Sequence, residues 1–195
     1  MYIIIEGIDT SGKSTQIELL KNKFKNAVFT KEPGGTSLGV KIRQMLLEGH
    51  VQSIKAELFL FLADRAELFE EVVKPNLNHM VISDRGFVSG IAYAMSNHTE
   101  IDFDTFVELN NIALEGKFPD IIFLLKLNKE TIMQRLGKKE KDNIEKRGIE
   151  YLLSVQKNMQ NIVKKIDTKY VEIDASQSIE EIHKIIVKNI TGEKF

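Results

Sequence analysis

An α/β fold, a parallel sheet with helices packed on both faces, is predicted by three observations on the 195-residue chain. Short apolar runs alternate with longer segments of helical spacing from one end to the other, the pattern of βα units joined by right-handed crossovers. The breakers Pro33-Gly34-Gly35, Pro75 and Pro119 fall between those runs rather than within them. The first run, Ile3-Ile4-Ile5, turns through two glycines into Gly12-Lys13-Ser14 and then directly into a helical spacing.

Taken in order, Ile3 to Ile5 is a buried strand by its unbroken apolar character, and Ile17, Leu19, Leu20 and Phe24 mark the helix after it. Ala27 to Lys31 is a second short strand. Glu32-Pro33-Gly34-Gly35-Thr36 is a loop, because proline and paired glycine suit neither period. Leu38, Ile42 and Leu46 predict a helix ending near Gly49, and Ala56 to Val73 a long one stopped by Pro75. Met80 to Ser83 is a buried strand with Asp84-Arg85-Gly86 at its carboxyl end. Helical spacing covers Ser89 to Met95 and Phe103 to Leu114, and Phe118-Pro119-Asp120 introduces the strand Ile121 to Leu127. Lys129 to Leu136 starts another helix, followed by the charged Gly137-Lys138-Lys139-Glu140-Lys141-Asp142. A long helix from Asn143 to Ile166, a strand from Tyr170 to Ile173 and a helix from Ile179 to Ile190 complete the chain. With no repeat, linker or break in composition, residues 1–195 read as a single domain.

Composition excludes several classes of function. A hydrophobic content of 43% supports one well-buried core, while 27 Lys plus Arg against 28 Asp plus Glu give no broad attraction to nucleic acid or to an anionic membrane. The absence of cysteine rules out disulfide, thiolate-metal and thiol chemistry. Met1 enters a strand without a basic leader, and no apolar run approaches the ~18 residues of a membrane span, so a cytoplasmic protein is expected. The four histidines, His50, His79, His98 and His183, are scattered and show no ligand spacing.

Gly7, Gly12, Lys13 and Ser14 meet the phosphate-loop pattern GxxxxGK[ST]. Backbone N–H groups from Gly7 through Ile8, Asp9, Thr10, Ser11, Gly12, Lys13, Ser14 and Thr15 would converge on phosphate oxygens of ATP, with glycine where a Cβ would obstruct the wrap. The helix opening at Lys13 adds its positive dipole end. Lys13 then reaches the β- and γ-phosphates, and the Ser14 hydroxyl ligates Mg²⁺. In an open parallel sheet, ligands bind beyond the carboxyl ends of the strands, so Asp84-Arg85 belongs with this loop. A switch GTPase fits poorly: Asn128-Lys129-Glu130-Thr131 lacks the aspartate of a guanine-reading NKxD, and Asp84 is not followed by DxxG spacing.

Six ordered blocks then resemble the thymidylate kinases, which phosphorylate dTMP to dTDP with ATP. They are Ile5-Glu6-Gly7-Ile8-Asp9 with Gly12-Lys13-Ser14-Thr15; Lys31 to Thr36; Leu58 to Arg65; Asp84-Arg85 with Ser89 and Ala92-Tyr93; Pro119-Asp120; and Asp174-Ala175-Ser176. The resemblance implies a three-layer phosphate-loop kinase fold, a five-stranded sheet in the order 2-3-1-4-5, a homodimer built through packed helices, and a short lid at about 136–147. It implies that Asp9 faces the acceptor sugar's 3′-hydroxyl, the alternative being a loop-stabilising Asx turn. Arg85 would lie between donor and acceptor phosphates, and Asp84 would hold Mg²⁺ directly or through water. The same resemblance places Glu32, Pro33 and Ser89 at the acceptor site and Arg43 near its phosphate, where a solvated helix charge is the alternative. Phe61 and Arg65, four apart on one helix face, would stack on thymine and donate to its O4; a core ring and a surface pair with Asp64 or Glu67 is the other account. Tyr93 would crowd the sugar's 2′ position.

The chain departs from the family in two places. Thr10 stands where some members carry an arginine that meets the γ-phosphate, so the cation would come from the lid segment Arg135, Lys138, Lys139, Lys141, of which Arg135 and Lys139 are assigned to the catalytic set and Arg147 is a further arginine. A solvated charge run is the alternative. Gly86 replaces an aromatic, and Gly90 and Ala94 replace amides that contact the base, so base reading leans on Phe61 and Arg65. A kinase for another nucleoside monophosphate, or a non-catalytic ATP-binding module, remains open at this stage.

Overall fold

The computed structural model describes residues 1–97, 100–136 and 148–192. Its strands are β1 Tyr2–Glu6, β2 Val28–Lys31, β3 Val81–Asp84, β4 Ile121–Lys126 and β5 Lys169–Asp174. All pair in parallel, in the order β2-β3-β1-β4-β5. The helices among the described residues are α1 Lys13–Lys23, α2 Ser37–Leu47, α3 Ile54–Leu68, α4 Phe87–Ser96, α5 Phe103–Ala113, α6 Lys129–Leu136, α7 Ile149–Lys165 and α8 Ile179–Thr191. The predicted α/β class and strand order are both found.

The central strands are buried along their length: Ile3, Ile4 and Ile5 of β1 and Ile121 to Leu125 of β4 have essentially no exposed surface. Unbroken apolar runs are what a strand covered on both faces requires. Helix starts follow local chemistry. Thr36, Ser53 and Asp102 each accept a hydrogen bond from a first-turn N–H, and Ser178 forms a reciprocal capping box with Glu181. The long helix expected from Ala56 to Val73 ends as regular α-helix at Leu68, then continues through one wider turn, Phe69–Val73, and a tight one, Lys74–Asn76. Pro75 has no N–H to offer and its ring crowds the preceding turn, so the chain widens while Phe69 and Val73 stay in the core. Helix α7 is described from Ile149; the start expected at Asn143 lies outside the described residues.

Register brings the functional loops together. Ile5 of β1 and Lys31 of β2 are both level with Asp84 of β3. The N–H of Arg85 donates to the Ile5 carbonyl at 2.9 Å, and that of Glu32 to the Asp84 carbonyl at 3.0 Å. Three strand ends therefore deliver the loop after Glu6, the Asp84-Arg85 pair and Glu32 to one edge of the sheet.

Candidate active site

The loop from Gly7 to Gly12 curls between β1 and α1. A Cβ on Gly7 would stand 2.6 Å from Ser11 Oγ and 2.7 Å from the Leu125 carbonyl, at a φ of 148°, so only glycine fits there. Gly12, with φ of 93°, caps α1 in the left-handed region. Thr10 (φ 66°) and Arg85 (φ 71°) take the same region without being glycine. Such residues persist only where surrounding contacts hold them; Thr10 lies within the phosphate loop and Arg85 is bonded to it through the Gly7 carbonyl.

Lys13 is buried, and its ammonium donates to the Gly7 and Ile8 carbonyls at 3.0 Å each. Burial, and then the nearby Arg85 charge, lower its pKa to about 8, so it stays mainly protonated at neutral pH. Arg85 is held on several sides. Its Nη1 donates to the Gly7 carbonyl at 2.9 Å and to Ser89 Oγ at 3.1 Å, its Nη2 to Asp9 Oδ1 at 2.6 Å, and its guanidinium lies 5.8 Å from the Tyr93 ring centroid. Asp9 is thus an ion-pair partner of Arg85, which is how a carboxylate is tolerated inside a phosphate loop.

Glu6, at the end of β1, received no role from the sequence. It is fully buried, where it accepts from the Ser89 N–H at 3.1 Å and from the Ser89 hydroxyl. Burial pushes its carboxyl upward, opposed by those Ser89 bonds and by Arg85. It fixes Ser89, which in turn receives Arg85. An acidic residue closing an otherwise apolar strand was the available signal.

Beyond Arg85 lies a cleft of about 610 Å³, with Phe61, Arg65, Pro33, Gly90, Tyr93, Leu46 and Leu47 around it. Arg65 is 2% exposed and makes a 2.6 Å ion pair with Glu32, not the surface pair with Asp64 or Glu67 considered above. Burial outweighs that ion pair and, with Asp64 and Glu6 nearby, raises the Glu32 carboxyl to about 7. Asp64 is buried too and accepts from the Gly34 N–H at 2.9 Å, tying α3 to the loop that carries Glu32 and Pro33. Arg43 is half-buried and donates to the Pro33 carbonyl at 3.2 Å, so it is no free helix charge.

A second cleft, of about 1040 Å³, runs over the phosphate loop past Gly12, Lys13, Ser14, Thr15 and Asp84. Asp9, Glu32, Arg43 and Arg85 line both clefts and form the wall between them. Arg135 sits elsewhere. It donates to the Thr10 and Ala175 carbonyls at 2.9 Å each and borders a cavity with Ser11, Thr15 and Gln177 on the far side of the loop. Lys138, Lys139, Lys141 and Arg147 lie outside the described residues.

A sequence model of the family "Thymidylate kinase" matches residues 5–186. The chain belongs to the thymidylate kinase family. It is 53% identical over 192 residues to a thymidylate kinase of Nautilia profundicola, covering 98% of this chain and 97% of that protein. Against one from Campylobacter jejuni subsp. doylei it is 49% identical over 191 residues, covering 95% and 97%. The crystal structure of a thymidylate kinase from Ehrlichia chaffeensis superposes with a TM-score of 0.79 at 28% identity, covering 98% of each chain. The family brings ATP as phosphoryl donor, and the cleft over Lys13 is the part of this thymidylate kinase fold with the loop to receive it.

Mg²⁺ fits the same cleft. Ser14 and Asp84 both line it, and Asp84 Oδ1 is buried without a hydrogen-bond partner. An ion that keeps most of its waters and binds through a few oxygens and substrate phosphates needs no more protein ligands than these two.

Proposed function

We propose that this chain transfers the γ-phosphoryl group of ATP to the 5′-phosphate of dTMP, giving ADP and dTDP, with Mg²⁺ held by Ser14 and Asp84. The observation that carries this reading is the shared wall. One cleft offers a glycine loop and Lys13 for a triphosphate, the other an aromatic ring and a buried arginine for a base, and Arg85, Arg43 and Asp9 stand between them.

In that arrangement a 5′-phosphate oxygen attacks the γ-phosphorus, and the bond from that phosphorus to the bridging oxygen of ADP breaks. The acceptor oxygen is already anionic, so no base is required and catalysis rests on alignment and charge. Arg85 keeps its Nη1 bonds to Gly7 and Ser89 while Nη2 exchanges Asp9 for the phosphates, and so brings two anions together. Asp9, released, accepts from the sugar 3′-hydroxyl. Mg²⁺, when bound, draws charge from the β- and γ-phosphates. Lys13 moves from the loop carbonyls to the phosphates. Phe61 stacks on thymine, Arg65 donates to its O4, and Tyr93 crowds the 2′ position. Lys139, from a lid at about 136–147 within a single 195-residue domain, supplies the positive charge that Thr10 does not, and Arg135 joins it by leaving the Thr10 and Ala175 carbonyls.

A coupled ADP-release assay over dTMP, dUMP, dCMP and ribonucleotides, with Mg²⁺ and ATP, tests the function. The highest kcat/KM is expected with dTMP. Better turnover of another acceptor would make the chain a kinase for that nucleotide, and ATP binding without acceptor-dependent turnover would make it a binding module.

The protein is also proposed to act as a cytoplasmic homodimer. No described helix is long and apolar enough to cross a membrane. Val40 of α2, Phe59 of α3 and Ile112 of α5 are 58%, 58% and 65% exposed, on helices where α3 packs against both of the others. Light scattering is expected to give twice the 22.2 kDa chain mass; a monomer at micromolar concentration would refute the dimer.

A further inference from the structure

Among the described residues, Arg65 is the one cation lining the acceptor cleft besides Arg43 and Arg85, and a side chain outside that cleft holds it. Asn110 on α5 is 1% exposed. Its amide nitrogen donates to the Phe106 carbonyl at 2.7 Å, one turn back on the same helix, which leaves Oδ1 facing the other way. That oxygen accepts from Arg65 Nη1 at 2.7 Å, while Nη2 is bound by Glu32. The third side is α4. A Cβ on Gly90 would stand 3.1 Å from Nη2 and 3.3 Å from Nη1, so the guanidinium lies against bare backbone. Within this clamp Arg65 Nε and Glu32 Oε1 are buried and without a hydrogen-bond partner. Buried polar atoms in that condition are uncommon in folded proteins.

We propose that Asn110 is a positioning residue for acceptor recognition: through its fixed amide it locks the Arg65 fork in the plane that meets the base. The inference rests on the dTMP kinase reading above. A long arginine held by Glu32 alone would swing about that one bond, and a second, neutral acceptor removes the freedom without adding another buried charge. Asn110 touches no substrate, so its effect is confined to the acceptor side. By sequence it is only a polar residue on a helical face shared with Phe106 and Ala113.

The test is steady-state kinetics with dTMP and ATP on the full chain. Asn110→Leu, similar in size but without an acceptor, is expected to raise KM for dTMP about tenfold, as loss of a hydrogen bond to a charged group does. Its kcat should stay within about twofold, and KM for ATP should not change. Asn110→Ala, which removes the same acceptor without adding apolar bulk, should raise KM for dTMP by a similar factor. In an Arg65→Gln background, Asn110→Leu should add less than about twofold, because residues acting as one unit are not additive. Unchanged KM for dTMP in Asn110→Leu, an equal loss on both substrates, or full additivity with Arg65→Gln would overturn the proposal. If Asn110→Leu does not fold, Asn110→Ala decides alone: an unchanged KM for dTMP would refute the acceptor role, and a rise confined to KM for dTMP would support it. Failure of the unsubstituted chain to turn over dTMP would instead remove the functional reading, and this inference with it.

Discussion

Arg85→Ala is expected to lower kcat by about 10³-fold while KM for ATP changes only a few-fold, a loss typical of removing a preorganised positive group from a phosphoryl-transfer site. The reason lies in how the residue is held. Arg85 reaches the phosphate loop through the Gly7 carbonyl and reaches the acceptor side through Asp9, and its backbone takes a φ of 71° to do so. Glu6 fixes Ser89, and Ser89 steadies Nη1, so the fork stands in place before any anion arrives. Tyr93, Asp9, Asp84 and Glu6 together outweigh the effect of burial and hold its pKa above the ordinary arginine value, so no accessible pH removes the charge. Arg85→Lys keeps a cation but not the fork, and should recover about tenfold or less of the lost rate. A kcat for Arg85→Ala within tenfold of the unsubstituted chain would show that transfer does not depend on this group.

Much of this site was legible because its parts sit in local sequence patterns. A glycine loop between an apolar run and a helical spacing, and Asp84-Arg85 at the end of another apolar run, put both at strand ends whatever the strand order. The acidic and arginine pairings were not legible, because they are made across the fold. Arg65 and Glu32 are 33 residues apart, Ser89 and Glu6 are 83 apart, and Asn110 is 45 from Arg65. Nearness in sequence alone suggested partners one or two residues away for Arg65, namely Asp64 and Glu67. Register decided otherwise, since β2 and β3 carry Glu32 to the cleft that α3 and α4 enclose. The same distance effect hid the setting of Arg135, whose carbonyl partners Thr10 and Ala175 are 125 and 40 residues away.

The buried pair of Arg65 and Glu32 gives the largest expected effect on stability. Arg65→Met keeps the bulk but leaves Glu32, 4% exposed, without its cation. Removing one partner of a buried ion pair costs about 3–5 kcal/mol, which at about 2–4 °C per kcal/mol in a chain of this size is a fall in Tm on the order of 10 °C. The cost depends on pH, and the sign follows from Glu32. Its native pKa of about 7 is raised above the ordinary 4.5, so between those values the folded state binds the proton that the unfolded state has lost. This contribution is full below about pH 4.5 and disappears as pH rises to about 7 in the unsubstituted chain. Without Arg65, whose charge lowers that pKa, the window extends upward and stability continues to fall above pH 7, by at most about 1.4 kcal/mol per unit. Urea unfolding at pH 6 and pH 9 should therefore find a much smaller gap between Arg65→Met and the unsubstituted chain at pH 6. Adding Glu32→Gln removes the titrating carboxyl and should make the remaining gap the same at both pH values. A penalty for Arg65→Met alone that does not change between pH 6 and pH 9 would mean that Glu32 is not the group left uncompensated.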